Sequence, residues 1–194
     1  MTLKPIEIWT IGHSTRSGEE FIALLQGNHI EAVVDVRRFP GSRRCPQFGQ
    51  AQLSSALGKS DIEYSHFPDL GGRRRPRADS PNTAWRNEAF RGYADYMMTE
   101  PFRAAVERLL QIAGSKRSAM MCAEAVWWQC HRGLIADYLK AMGHTVRHIL
   151  GAGRVEPHPF TSAARIVNDR LSYAQADQEL ELPLHQDRND RGVI

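Results

Sequence analysis

Two short clusters of reactive side chains lie in the second half of the chain. Cys122-Ala123-Glu124 is followed by Cys130-His131-Arg132. A thiol beside an imidazole is, in principle, a nucleophile and base pair. Glu124 can act as a general acid or base. If Cys130-His131-Arg132 opens a helix, the field at the helix start favours an anion and lowers the thiol pKa, with Arg132 reinforcing both effects. His13 and Asp35 add two further groups suited to proton transfer. Ser14, Arg37, Ser42 and Arg43 join Arg132 as candidate ligand-holding residues. Cys122 reads first as a small buried hydrophobe. A metal site built from Cys122, Cys130, His131 and His13 lacks a recognised ligand spacing, so no metal is assigned.

The elements around these residues alternate. Ile6–Ile11 is a short apolar run closed by Gly12-His13-Ser14. Ser17, early acids and apolar residues at helical spacing predict a helix that stops near Gly27-Asn28. Ala32–Val36 predicts a buried second strand, and strand, helix, strand in about 30 residues is a βαβ unit. A helix over Gly49–Leu57 and a strand over Ile62–Phe67 follow. Asn82 or Thr83 is expected to cap a helix through Tyr96, and Pro101 to open the next. Ser118–Cys122 and Thr145–Leu150 complete the strands. The pattern predicts an α/β three-layer sandwich with a mostly parallel central sheet of about five strands. One domain is expected over residues 1–175, with a polar, acidic, weakly ordered tail over 176–194. Ligands of such sheets bind beyond the carboxyl ends of the strands. The residues singled out above follow successive predicted strands, so parallel neighbours would bring them to one edge.

Composition narrows the partners. The 194 residues are 42% hydrophobic and 24% charged, which is ordinary globular usage. Three cysteines are too few for a disulfide framework, and no apolar run approaches the ~18 residues of a membrane span. The N-terminus lacks the pattern of a signal peptide. A soluble cytoplasmic protein with no membrane partner is expected. The net charge of +3 hides an uneven distribution. Residues 35–91 carry eleven Lys or Arg against six acids, whereas residues 168–194 carry three against six. An arginine-rich segment suits an anionic ligand such as a nucleotide or nucleic acid. It also reads as a solvated loop whose arginines pair with acids. Trp127-Trp128 could stack on a base if exposed, or pack the loop if buried. Tyr93, Tyr96, His144 and His148 read as structural.

The order of motifs carries a resemblance. Thr10-Ile11-Gly12-His13-Ser14, then Asp35-Val36-Arg37, then Pro40 with Ser42-Arg43 and Phe48, then Tyr64–Gly72, resemble the domain of unknown function 488 family. Cys122-Ala123-Glu124 with Cys130-His131-Arg132 is similar to its most distinctive signature, and residues 133–149 to the helix and strand that follow. The resemblance spans roughly residues 8–150. It implies an α/β fold and a cytosolic protein, and supplies no reaction. Where relatives are often polar between Glu124 and Cys130, this chain has Ala-Val-Trp-Trp-Gln. Three functions stay open at this point. The first is an enzyme binding a phosphate-bearing ligand, with hydrolase- or transferase-type chemistry. The second is a non-catalytic nucleic-acid-binding module. The third is thiol or metal chemistry at Cys122, Cys130 and His131.

Overall fold

The apolar runs become strands because their side chains are buried on both faces of one sheet. The computed structural model describes residues 4–41 and 44–175. Five strands are parallel: β1 (Glu7–Gly12), β2 (Ala32–Asp35), β3 (Glu63–His66), β4 (Ser118–Cys122) and β5 (Thr145–Gly151). A sixth, β6 (Arg154–Pro157), returns antiparallel on β5, giving the order β3-β2-β4-β1-β5-β6. The sequence reading missed β6. The strand is short and contains Arg, Glu and Pro, and the tight turn before it, with Gly153 at φ +65, is the signal that was available. A separate hairpin, β7 (Arg165–Val167) and β8 (Arg170–Ser172), was also unforeseen.

Strand alternation divides the core in two. Trp9, Ile11, Val33, Ala119 and Met121 pack with Phe21 and Leu25 of α1 (Gly18–Gly27) and Leu53 and Leu57 of α2 (Gln50–Gly58). Ile8, Val34, Met120 and Cys122 pack with α3 (Glu88–Met97), α4 (Glu100–Ser115) and α5 (Arg132–Ala141). Helices therefore cover both faces of the sheet. Local sequence fixes the helix starts. Ser17 and Glu20 form a reciprocal capping box on α1. Helix α3 begins later than Asn82 or Thr83 because Asn87 supplies the cap, its side chain accepting from Ala89 N and Phe90 N. Asn82 donates instead to Asp95 Oδ1. Residues 176–194 lie outside the described residues, and so does the expectation about the tail. Among the described residues no helix is long and apolar enough to cross a membrane.

A buried polar chain ties the sheet to the C-terminal arm. Thr10 Oγ1 meets His148 Nδ1 at 2.7 Å, His148 Nε2 meets His158 Nδ1 at 2.8 Å, and His158 Nε2 reaches Asp137 Oδ1 at 2.9 Å. Asp137 also accepts from Thr161 N, Thr161 Oγ1 and Tyr173 Oη. Trp127 stacks on His148 with ring centroids 4.7 Å apart. Trp128 is exposed, so the tryptophan pair divides between core and surface. The structural reading of His148 holds, and so does that of His144, whose Nδ1 accepts from Ile6 N.

Burial, aided by neighbouring His158 and Arg132, lowers the His148 pKa from 6.5 to about 2. Its folded value lies below its unfolded one, so its contribution to stability is complete above pH 6.5 and declines as pH falls. Burial pushes His13 and His144 the same way, while His131 is raised and opposes them. Denaturant unfolding is expected to show about 2 kcal/mol less stability from His148 alone at pH 5 than at pH 7. The loss should shrink in His148→Gln, and an equal loss in that variant would contradict the assignment.

Candidate functional site

Chain connections open a crevice at β4. Strands β1 and β2 leave toward α1 and α2 on one face, whereas β4, lying between them, leaves toward α5 on the other. Chain segments diverge on both sides of Cys122, the arrangement in which open α/β sheets bind ligands. A cavity of about 370 Å³ lies there. Cys122, Glu124, Cys130 and His131 line it together with His13, Arg37, Arg38 and Arg73. A larger hollow of about 620 Å³ beside Met97, Met98 and Tyr138 holds no cysteine or histidine.

Backbone contacts bring the loops after β1 and β4 together. His13 N donates to Cys122 O and Ser14 N to Ala123 O. The approach is closest at Gly12, where a Cβ would lie 1.8 Å from the Glu124 carbonyl oxygen. Gly12→Ala is therefore expected to cost about 2–4 kcal/mol and to displace Glu124. A denaturation midpoint equal to that of the parent protein would contradict this. Ser14 sits at φ 52 and its carbonyl accepts from His13 Nδ1, so its backbone shapes the loop. Its side chain does not line the cavity.

Asp35 and Arg37 form one unit. Arg37 Nε and Nη2 donate to Asp35 Oδ1 and Oδ2 at 2.9 and 2.6 Å, and Arg37 N donates to Oδ1. Tyr64 Oη donates to Oδ2 at 2.7 Å. With four donors on a fully buried carboxylate, Asp35 anchors Arg37 and does not face the cavity. Arg37 Nη1 points at His13 Nε2, 3.3 Å away. Burial lowers the His13 pKa, so His13 is a neutral ring that accepts at Nε2. Arg132 is buried, with Nη1 and Nη2 donating to the carbonyls of Glu124 and Ala125. It holds the Glu124 loop and is not among the cavity-lining residues. Ser42 and Arg43 lie outside the described residues.

The remaining candidates converge. Cys130 and His131 immediately precede α5, as the sequence predicts. His131 Nε2 lies 3.1 Å from Val36 O, which can only accept, so Nε2 carries a hydrogen and Nδ1 faces the thiols. Nδ1 is 3.7 Å from Cys130 Sγ and 3.9 Å from Cys122 Sγ. The Cys122 thiol lies 3.1 Å from Glu124 Oε2 and donates to it. Burial works against a Cys130 thiolate, but the Cys122 thiol and the His131 charge outweigh it and hold Cys130 well below the usual thiol range. The adjacent Cys130 sulfur and burial together push Cys122 well up. The arrangement is a cysteine beside a histidine, the one held toward its thiolate and the other toward its protonated form, with a second thiol and an exposed carboxylate at its edge. Such a pair can attack an electrophile or ligate a soft cation.

The sequence reading did not separate two arginines from their neighbours. Arg77 pairs with Asp79, Arg91 with Glu88, and Arg74 lies over the Tyr96 ring at 3.6 Å. The reading of arginines paired with acids fits Arg77 and Arg91, whereas Arg74 is held by the ring and by the Gly71 and Asp69 carbonyls. Arg38 and Arg73 are exposed, line the cavity and pair with no acid among the described residues. Both guanidinium groups lie near the Phe39 ring, at 5.7 and 5.9 Å, and Phe39 is 65% exposed.

Residues 17–139 match the family model described as domain of unknown function DUF488. The chain belongs to this family. The matched DUF488 segment contains Asp35, Arg37, Cys122, Glu124 and Cys130-His131-Arg132, and excludes His13 and Ser14. No curated protein and no solved structure matches the chain.

Proposed function

We propose that this DUF488 protein is a cytoplasmic enzyme with hydrolase- or transferase-type chemistry on a phosphate-bearing ligand, a nucleotide or a nucleic-acid strand. One observation carries the reading: Arg38 and Arg73, without acid partners among the described residues, line the same cavity as Glu124 and the Cys130–His131 pair. Two planar guanidinium groups beside a low-dielectric floor suit a phosphate dianion. Arg37, its charge balanced by Asp35, braces the wall beside His13. Glu124 is exposed at the cavity and is the group placed to exchange a proton with a ligand oxygen. The exposed Phe39 between two arginines is a surface on which a base can stack, and it favours a nucleotide over bare phosphate. The buried free thiols fit a reducing compartment.

Binding of nucleoside monophosphates, short single strands and inorganic phosphate tests this. Arg38→Ala with Arg73→Ala is expected to weaken all three at least tenfold. Phe39→Ala is expected to weaken the nucleotide and the strand but spare phosphate. Ligand affinities unchanged by the arginine pair would remove the reading. The same Phe39 and arginines also serve the second reading, a non-catalytic nucleic-acid module. That reading predicts that Glu124→Gln alters neither binding nor any turnover.

A further inference from the structure

The geometry points to a zinc-type divalent cation site formed by Cys122 Sγ, Cys130 Sγ and His131 Nδ1, with a fourth position open to the cavity. These three atoms lie within 4.8 Å of one another. Zinc–sulfur and zinc–nitrogen bonds of about 2.3 and 2.0–2.1 Å at tetrahedral angles put sulfur and nitrogen about 3.6 Å apart. The two sulfur–nitrogen separations, 3.7 and 3.9 Å, are within a few tenths of that value. Closing the set around an ion needs side-chain adjustments of about 1 Å or less.

Three further features fit a cation better than a free nucleophile. First, His131 Nε2 donates to the Val36 carbonyl, the outer contact that turns the other ring nitrogen toward a metal. Second, a Cβ at residue 72 would lie 2.9 Å from His131 Nδ1, so the glycine there keeps the space beside that nitrogen clear. Third, both sulfurs are buried, Cys130 being 3% exposed, which suits ligation more than attack on a bulky substrate. Two thiolates and an imidazole select zinc over magnesium or calcium. Binding displaces the thiol protons, and Glu124 Oε2, 3.1 Å from Cys122 Sγ, lies beside the open position. Three protein ligands with one open position is the pattern of catalytic zinc, where the ion polarises a bound oxygen. The sequence raises metal chemistry at these three residues but leaves it unassigned, because their spacing matches no recognised ligand pattern.

The test uses the full chain with zinc alone, then cobalt alone. Metal analysis is expected to give one zinc per chain, and cobalt substitution a sulfur-to-cobalt charge-transfer band. Cys122→Ser and Cys130→Ser are each expected to weaken zinc at least 100-fold, and His131→Gln at least tenfold. Cys45→Ser, outside the cluster, should leave affinity unchanged. If a variant misfolds, the parent protein still decides: zinc should protect Cys122 and Cys130, but not Cys45, from alkylation mapped by mass. Absent stoichiometric zinc, or equal alkylation with and without it, overturns the site. Phosphate or nucleotide binding does not depend on this outcome, so the two proposals fail separately.

Discussion

Asp35→Ala is expected to lower the unfolding free energy by about 3–5 kcal/mol and to disorganise the cavity wall. The reason is the unpaired charge left behind. Arg37 is 7% exposed, and its Nε and Nη2 rest on Asp35. Burial costs Arg37 its hydration, and the Asp35 carboxylate keeps the guanidinium firmly protonated. Without Asp35, the Tyr64 hydroxyl also loses its acceptor. Replacing both members, as Asp35→Leu with Arg37→Met, should recover much of the stability, since a well-packed apolar pair avoids the desolvation cost. Ligand binding should not recover with it. Denaturant unfolding of the singles and the double checks this. A double variant as unstable as Asp35→Ala would show that the pair stabilises by more than charge compensation.

Asp137→Ala is expected to cause a loss of similar size, about 3–5 kcal/mol, at a residue that does not line the cavity. Its carboxylate is fully buried and accepts from His158 Nε2, Thr161 N, Thr161 Oγ1 and Tyr173 Oη. Removing it leaves those donors without a partner, the His158 and Tyr173 groups in the buried core. Tyr173 and Ala163 pack against the helix face beside α5, so the segment after β6 should detach first. Hydrogen exchange in Asp137→Ala should show that segment losing protection before β1 and β4. Uniform loss of protection would contradict the view that Asp137 pins the arm in particular.

Much of this was legible in the residues themselves. Strands β1, β2 and β4 announce themselves as short apolar runs because both faces of the sheet are covered there, whereas the edge strand β3 is a partly exposed Glu-Tyr-Ser-His. The convergence of His13, Arg37, Cys122 and Glu124 follows from the rule about carboxyl ends, since each ends or closely follows a parallel strand. Side-chain direction was not legible. Asp35 and Arg132 look like catalytic and clamping residues in sequence, yet one is consumed by Arg37 and Tyr64 and the other by two carbonyls. Nothing in a run of arginines separates Arg73, which reaches the cavity, from Arg74, which stacks on Tyr96. The backbone leaves the extended form between them, Arg73 standing at φ 60. The histidine chain was hidden for another reason. Thr10, Asp137, His148 and His158 are scattered over nearly 150 residues, and the β1–β5 pairing, the β6 return and the packing of α5 together unite them.

If the cavity beyond β4 receives a phosphate group, as proposed, a bound nucleotide will be found there. The most direct measurement is a crystal structure of the protein with a nucleoside monophosphate, grown without sulfate or added phosphate. Phosphate oxygens are expected within hydrogen-bond distance of Arg38 or Arg73, beside Glu124, with the base against Phe39. Density for the nucleotide elsewhere on the molecule, with this cavity holding only water, would contradict it.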